Sequence, residues 1–184
     1  MSTQSSQPTL TTPRLVLRPF RPEDADRVQE IVSEREIAAN TLHIPHPYPD
    51  GMAAEWIATH PAKWERGEGA IFAAARREDG RVVGAMGLDV EPPHRRAELG
   101  YWVAKPFWNL GYATEGARGV MAFGFHALGL HRIQATHYAR NPQSGAVMRK
   151  LGMRHEGSLR EHIFKWGVFE DIEVYGILRD EFEG

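Results

Sequence analysis

The chain contains no cysteine, which excludes disulfides, thiolate nucleophiles and cysteine-ligated metals together. No apolar run approaches the roughly 20 residues needed to cross a bilayer, so no membrane partner is expected. There is no excess of positive charge. Lys and Arg number 22 against 24 Asp and Glu, a formal net charge of −2, so composition supplies no field that would draw nucleic acid. Residues 1–12 are rich in Ser, Thr and Gln and lack both a basic segment and an apolar core. They read as a disordered tail rather than a secretory signal, and a cytoplasmic location is the expectation. Nine histidines are present, yet none stands at a metal-ligand spacing such as H-E-x-x-H, so no metal is expected. No internal repeat is visible.

What is present fits one folded unit. A chain of 184 residues, 42% hydrophobic and 25% charged, is long enough for one buried core and short for two, so residues 13–184 are expected to form a single domain. The segment 14–18 reads as a short strand ended by Pro19. Pro22-Glu23-Asp24 opens a helix, with Pro suited to its first turn and the acids to its positive end, and Val28, Ile31 and Val32 as its buried stripe. Three prolines make 40–51 an extended loop. A helix over 52–64 follows, with Trp56 and Ile57 inward and a kink before Pro61. Strands over 70–76 and 81–90 flank Asp79-Gly80, a hairpin turn signal. Then come a strand at 98–103, a long helix at 112–128, a strand at 133–139, a helix at 142–151 and two strands around Gly167. This order, β-α-α-β-β-β-α-β-α-β-β, is an α/β (α+β) arrangement around a mixed, mostly antiparallel sheet.

The chemistry begins at the junction Trp108-Asn109-Leu110-Gly111-Tyr112-Ala113-Thr114, where a strand passes through a short loop into a helix of small residues. The first N–H groups of a helix have no internal partners, and the helix dipole favours negative charge there. Gly111 lets the backbone approach an anion closely, Ala113 leaves little side chain in the way, and Thr114 offers a hydroxyl. No Lys or Arg sits at the centre of this loop. Alone, the junction is equally a plain strand–helix turn.

Two blocks of sequence carry a resemblance. Ala97-Glu98-Leu99-Gly100-Tyr101-Trp102-Val103, followed by Pro106-Phe107 and the Trp108–Thr114 junction, is similar to the acetyl-CoA-binding core of the GNAT superfamily, in its RimJ/RimL-like branch. The family pattern Q/R-x-x-G-x-G/A falls on Trp108 to Ala113. Trp108 departs at the first position, and Asn109 stands where Gly is frequent. The second block, Asn141-Pro142-Gln143-Ser144 with Met148-Arg149-Lys150-Leu151-Gly152-Met153, resembles the family's N-x-x-S … K-L-G-F segment. Weaker echoes extend the resemblance over residues 10–182.

The resemblance implies a twisted sheet of about seven strands flanked by helices, and an enzyme that moves an acetyl group from acetyl-CoA to a primary amine. That amine is a protein N-terminal α-amine or a small-molecule amine; a non-catalytic acyl-CoA-binding domain is the alternative, and a homodimer is compatible with the branch. It assigns CoA contact to Trp102, Val103, Trp108, Asn109, Leu110, Gly111, Tyr112, Ala113, Thr114, Asn141 and Ser144, with the Val103 backbone pairing the pantetheine amides like an added strand. Asn141 before Pro142 is also a good helix start in its own right. Glu98, an acid within an apolar strand, is the candidate base; an ion pair with Arg95 or Arg96, or a solvent-facing position, are its other readings, and His46, Glu55 and Glu161 are alternative bases. The family's tyrosine seven positions after the Asn is here Met148, so reprotonation of the thiolate falls to Ser144 or to water. Ser144 equally suits a cap or a CoA contact. Lys105 and Arg149 are basic groups within reach of CoA phosphates.

Overall fold

The computed structural model describes residues 6–183. Eight strands make one sheet in the order β1-β2-β3-β4-β5-β6-β8-β7. They are β1 Leu10–Thr11, β2 Leu15–Pro19, β3 Gly69–Arg76, β4 Val82–Glu91, β5 Arg96–Val103, β6 Arg132–Tyr138, β7 Arg154–Lys165 and β8 Val168–Leu178. Six helices accompany them: α1 Ala25–Val32, α2 Arg35–Asn40, α3 Met52–Ala58, α4 His60–Glu65, α5 Tyr112–His126 and α6 Pro142–Lys150. Every strand pairing is antiparallel except β5 with β6. None of the described helices is long and apolar enough to cross a membrane.

Four expectations change. The sheet has eight strands, because Leu10 and Thr11 pair with Leu17 and Val16 inside the expected tail. The Gln7 side-chain amide also donates to the Ile71 carbonyl at 2.8 Å, so the segment is tied down well before residue 12; residues 1–5 of the expected tail lie outside the described residues. Pro19 closes β2 from within, opposite Phe72, at a strand end where its missing N–H costs little. The helix opened by Pro22 is a 3₁₀ turn followed by α1, and it stops where Ser33 Oγ bonds back to the Gln29 carbonyl at 2.7 Å, leaving α2 separate behind an extended Glu34. The helix expected over 52–64 divides at Thr59, with Pro61 in the first turn of α4, where a proline loses no hydrogen bond.

Side-chain alternation gives the sheet two distinct faces. Leu15, Leu17, Phe72, Met86, Leu88 and Ile133 meet α5, whose glycines permit a very close approach: a Cβ on Gly116 would lie 2.2 Å from Met86 Sδ, and one on Gly124 2.8 Å from Leu88 Cδ1. The opposite face meets α3, where the Trp56 and Trp102 rings stand 6.5 Å apart. Phe72, Phe125, Leu15, Met86 and Ile133 are completely shielded from water, each such side chain contributing about 1.5–3 kcal/mol by burial. Packing α5 this closely fixes where its first turn lies relative to the strand ends.

The feature that positions the site is a divergence. β5 pairs with β6 only through Arg96–Arg132, Ala97–Ile133 and Glu98–Gln134. Beyond Glu98, β5 stays with β4 as far as Val103 while β6 stays with β8 as far as Tyr138, and a gap opens between them. The β4–β5 ladder that supports the gap tolerates no side chain at Gly84, where a Cβ would come within 2.3 Å of the Trp102 carbonyl oxygen. Gly84→Ala is therefore expected to lower stability by about 2–3 kcal/mol. Urea unfolding checks this; a midpoint equal to that of the wild type would contradict the close approach.

Candidate active site

Hydrogen-bond alternation decides which backbone groups face the gap. The Ala104 N–H donates to the Val83 carbonyl at 2.8 Å, so in this antiparallel register Trp102, Gly100 and Glu98 likewise direct their N–H and C=O groups at β4. The groups of Leu99, Tyr101 and Val103 then point the other way: the Leu99 N–H closes the β5–β6 ladder opposite Gln134, and the groups beyond it face the gap. The Val103 carbonyl already accepts the Trp108 indole N–H at 2.6 Å, which leaves its N–H facing the gap. The Trp102 backbone serves β4, and its side chain meets Trp56 on the opposite face.

The junction into α5 is a backbone cradle. Asn109 and Gly111 both take left-handed conformations, with φ of 61° and 83°, and Gly111 is the N-cap residue of the 15-residue α5. Asn is among the few non-glycine residues that accept this region readily, which explains how it stands where the family favours Gly. Leu110 is exposed, Tyr112 is buried against Phe107, and Ala113 and Thr114 are half-buried in the first turn. The cradle is braced from behind by Arg14. Its guanidinium donates to the Leu110 carbonyl at 2.8 Å, pairs with Glu115 at 2.6 Å and lies 4.6 Å over the Tyr112 ring. Burial alone would raise the Glu115 pKa, but the Thr12 hydroxyl, the Arg14 amide and the Arg14 guanidinium together hold it below the usual carboxylate range. Glu115 therefore stays ionised as a structural anchor. The two other basic side chains considered for phosphates are engaged elsewhere: Lys105 with Glu36, and Arg149 with the Tyr175 hydroxyl at 3.0 Å.

Across the gap, α6 begins at Asn141. Its backbone forms the N-cap, yet its side chain makes no capping hydrogen bond, so the side chain is not consumed in starting the helix. Ser144, in the first turn, is not a side-chain cap either. Its Oγ lies 2.8 Å from the Tyr101 hydroxyl, which also reaches the Ser144 carbonyl at 3.1 Å. Tyr101 thus links β5 to α6 over the gap, a residue that strand alternation alone did not single out. Burial, set against the Ser144 hydrogen bond, pushes its pKa up to about 12. Met148 is buried and offers no donor.

On the opposite face Glu98 is exposed, beside Gly100 and Trp102 as alternation predicts. Neither arginine considered as its partner pairs with it. Arg96 binds Glu91 at 2.8 Å, and Arg95 donates to the Gly129 carbonyl at 2.9 Å. Instead, the Thr136 hydroxyl of β6 donates to Glu98 Oε1 at 3.1 Å, an orienting contact absent from the sequence reading. Glu98 and Thr136 therefore stand where the two strands begin to part. His46 packs on Trp166 at 6.0 Å, Glu55 belongs to the exposed side of α3, and Glu161 sits in the β7 irregularity with its N–H on Asp171 Oδ1 at 2.7 Å. The end of α2 is held by Lys165 and Arg140, which donate to the Ala38 and Ala39 carbonyls at 2.5 and 2.6 Å.

Comparison with known proteins agrees with this geometry. Residues 14–154 match the family described as acetyltransferase (GNAT) domain. The chain is 31% identical over 173 residues to YoaA of Bacillus subtilis (strain 168), described as an uncharacterized N-acetyltransferase, covering 94% of this chain and 97% of that protein. Among solved structures, Mycobacterium smegmatis RimJ in complex with CoA-disulfide superposes with a TM-score of 0.82 at 26% identity, covering 96% of this chain and 90% of that one. RimL, the ribosomal L7/L12 alpha-N-protein acetyltransferase in complex with coenzyme A, has the same fold at a TM-score of 0.86 and 15% identity, over 93% and 98% of the two chains.

Behind Trp56, His60 is buried with both ring nitrogens lacking a hydrogen-bond partner. Burial, aided by the Lys63 charge and opposed by Asp89, lowers its pKa from 6.5 to about 4. The unfolded chain therefore binds this proton more readily than the folded one between those values, and stability is lost as pH falls through that window and is fully present above it. His60→Leu is expected to flatten the dependence of urea-unfolding stability on pH between 6.5 and 4. An unchanged slope would show that His60 is not the group responsible.

Proposed function

The chain belongs to the GNAT acetyltransferase family, in its RimJ/RimL-like branch, and is an N-acetyltransferase; from that premise we propose that it transfers acetyl from acetyl-CoA directly onto a primary amine arriving at the Glu98 face. The observation that supports this most is a two-sided strand end. β5 turns the backbone groups of Tyr101 and the Val103 N–H into the gap, and on its open face it presents Glu98 steadied by Thr136.

In this reading the amides from Asn109 to Thr114 hold the CoA pyrophosphate, with the α5 dipole and the absence of a local lysine making recognition backbone-led. Pantetheine runs along β5 and reaches the Asn141 side chain, and Ser144 contacts the thiol end. The amine nitrogen attacks the thioester carbonyl, the C–S bond breaks with its electron pair leaving on sulfur, and the nitrogen gives up a proton to Glu98, directly or through water. A gap-facing N–H such as that of Val103 polarises the carbonyl. A protein α-amine, with a pKa near 7.7–8.0, is partly neutral at pH 7, whereas a lysine amine near 10.4 is not, so an exposed carboxylate suffices for the former. The open face beside Gly100, where nothing lies within 4 Å of an added Cβ, suits a peptide N-terminus.

CoA release from acetyl-CoA, measured across N-terminal peptides, polyamines and aminoglycosides, tests this. Saturable release with peptides is expected, and Glu98→Gln is expected to lower kcat about 100-fold at pH 7 with little change in CoA affinity. Gly111→Glu is expected to abolish CoA binding while the fold persists; unchanged affinity would contradict the pyrophosphate site. CoA binding without turnover on any acceptor would replace this reading with that of an acyl-CoA-binding module.

A further inference from the structure

Proton bookkeeping around Ser144 leads beyond this reading while resting on it. The transfer releases one proton from the amine and requires one at the departing sulfur. A thiol of ordinary acidity has a pKa near 8.5, and an aliphatic hydroxyl is a far weaker acid. Ser144 therefore cannot hand its proton to a thiolate and remain an alkoxide. The group behind it cannot supply the deficit: burial has pushed the Tyr101 hydroxyl up to about 12, so it too keeps its proton beside a thiolate. The sulfur leaves as a thiolate, and the proton that ends on it is the one the amine gives up, relayed through solvent.

What the pair can do is present a hydrogen bond. The Tyr101 O–H has a single hydrogen and two acceptors within reach, the Ser144 carbonyl at 3.1 Å and Ser144 Oγ at 2.8 Å. When Tyr101 donates to the carbonyl, the Ser144 hydrogen bonds back to Tyr101 Oη and the serine shows only lone pairs to the gap. When Tyr101 donates to Oγ, that acceptor position is filled and the Ser144 hydrogen is freed toward the gap. Negative charge growing on sulfur favours the second arrangement, and each O–H in the chain then polarises the next.

We infer that Tyr101 is a positioning residue that turns the Ser144 hydroxyl toward the leaving thiolate, so that Ser144 stabilises the sulfur by a hydrogen bond without giving up its proton. Tyr101 reaches this place because alternation along β5 sets its side chain on the α6 side, while Glu98 takes the other face. The base and the thiolate donor are thus served by one strand from its two sides.

A double-mutant cycle tests the inference on wild type, Tyr101→Phe, Ser144→Ala and the double variant, with thermal midpoint and CoA affinity as controls for folding. Tyr101→Phe and Ser144→Ala are each expected to lower kcat about tenfold, with KM for acetyl-CoA nearly unchanged. Adding Tyr101→Phe to Ser144→Ala is expected to cost nothing further. In Ser144→Thr, which keeps the hydroxyl, sensitivity to Tyr101→Phe is expected to return. Losses that multiply in the double variant, or a Tyr101→Phe enzyme as fast as wild type, would overturn the inference. So would a fall in kcat between pH 7 and 10 that Tyr101→Phe abolishes, because the pair would then be losing its proton. Should Tyr101→Phe lose its fold, Ser144→Thr against Ser144→Val separates hydroxyl from packing, and equal rates there overturn it. A wild-type chain that turns over no acceptor would instead remove the acetyl-transfer reading on which this one rests.

Discussion

Three residue pairs hold β5 against β6, and the parting of the two strands after Glu98 is the constraint on which the site depends. Within a sheet, backbone groups are spent on neighbouring strands. Beyond Leu99, β5 keeps its pairing on the β4 side while no strand lies beside it on the other, and a cleft exists without any long loop to build it. The close seating of α5, permitted by Gly116 and Gly124, delivers a helix N-terminus to the same end of the sheet. α6 supplies the opposite wall, joined to β5 through Tyr101 and Ser144.

Charge is distributed so that the cradle itself stays neutral. Arg14 and Glu115 neutralise each other behind the loop, and their mutual hold fixes the Leu110–Gly111 backbone rather than meeting a ligand as free charges. Lys105 and Arg149 are likewise committed to Glu36 and Tyr175. What faces outward is a set of peptide dipoles at the start of α5, the arrangement that the proposed anion site requires. The left-handed turns at Asn109 and Gly111 aim those dipoles.

Local signals in the sequence revealed much of this. Gly111 ahead of a run of small residues marks the start of α5, Asp79-Gly80 marks the β3–β4 turn, and period-two alternation places Glu98 with Gly100 and Trp102. Contacts between residues distant in sequence were not legible. Tyr101 meets Ser144 across 43 positions, and Arg14 meets Glu115 across 101, so neither pairing leaves a local trace. Adjacent strand residues face opposite sides, so one step along β5 takes a side chain from Ser144, met by Tyr101, to Trp56, met by Trp102. β1 went unseen because two residues of mixed polarity carry no periodicity, and the breaks between α1 and α2 and between α3 and α4 turn on Ser33 and Thr59, residues that also occur within helices.

The backbone character of the site is measured most directly by following amide resonances of isotopically labelled protein during titration with CoA. Selective shifts are expected at Gly111, Tyr112, Ala113 and Thr114, and along the gap at Tyr101 and Val103, while Leu99, whose amide serves β6, and Glu98, Gly100 and Trp102, whose amides serve β4, move less. Saturable binding that leaves the 111–114 amides and the alternating β5 set unperturbed would contradict both the cradle and the gap.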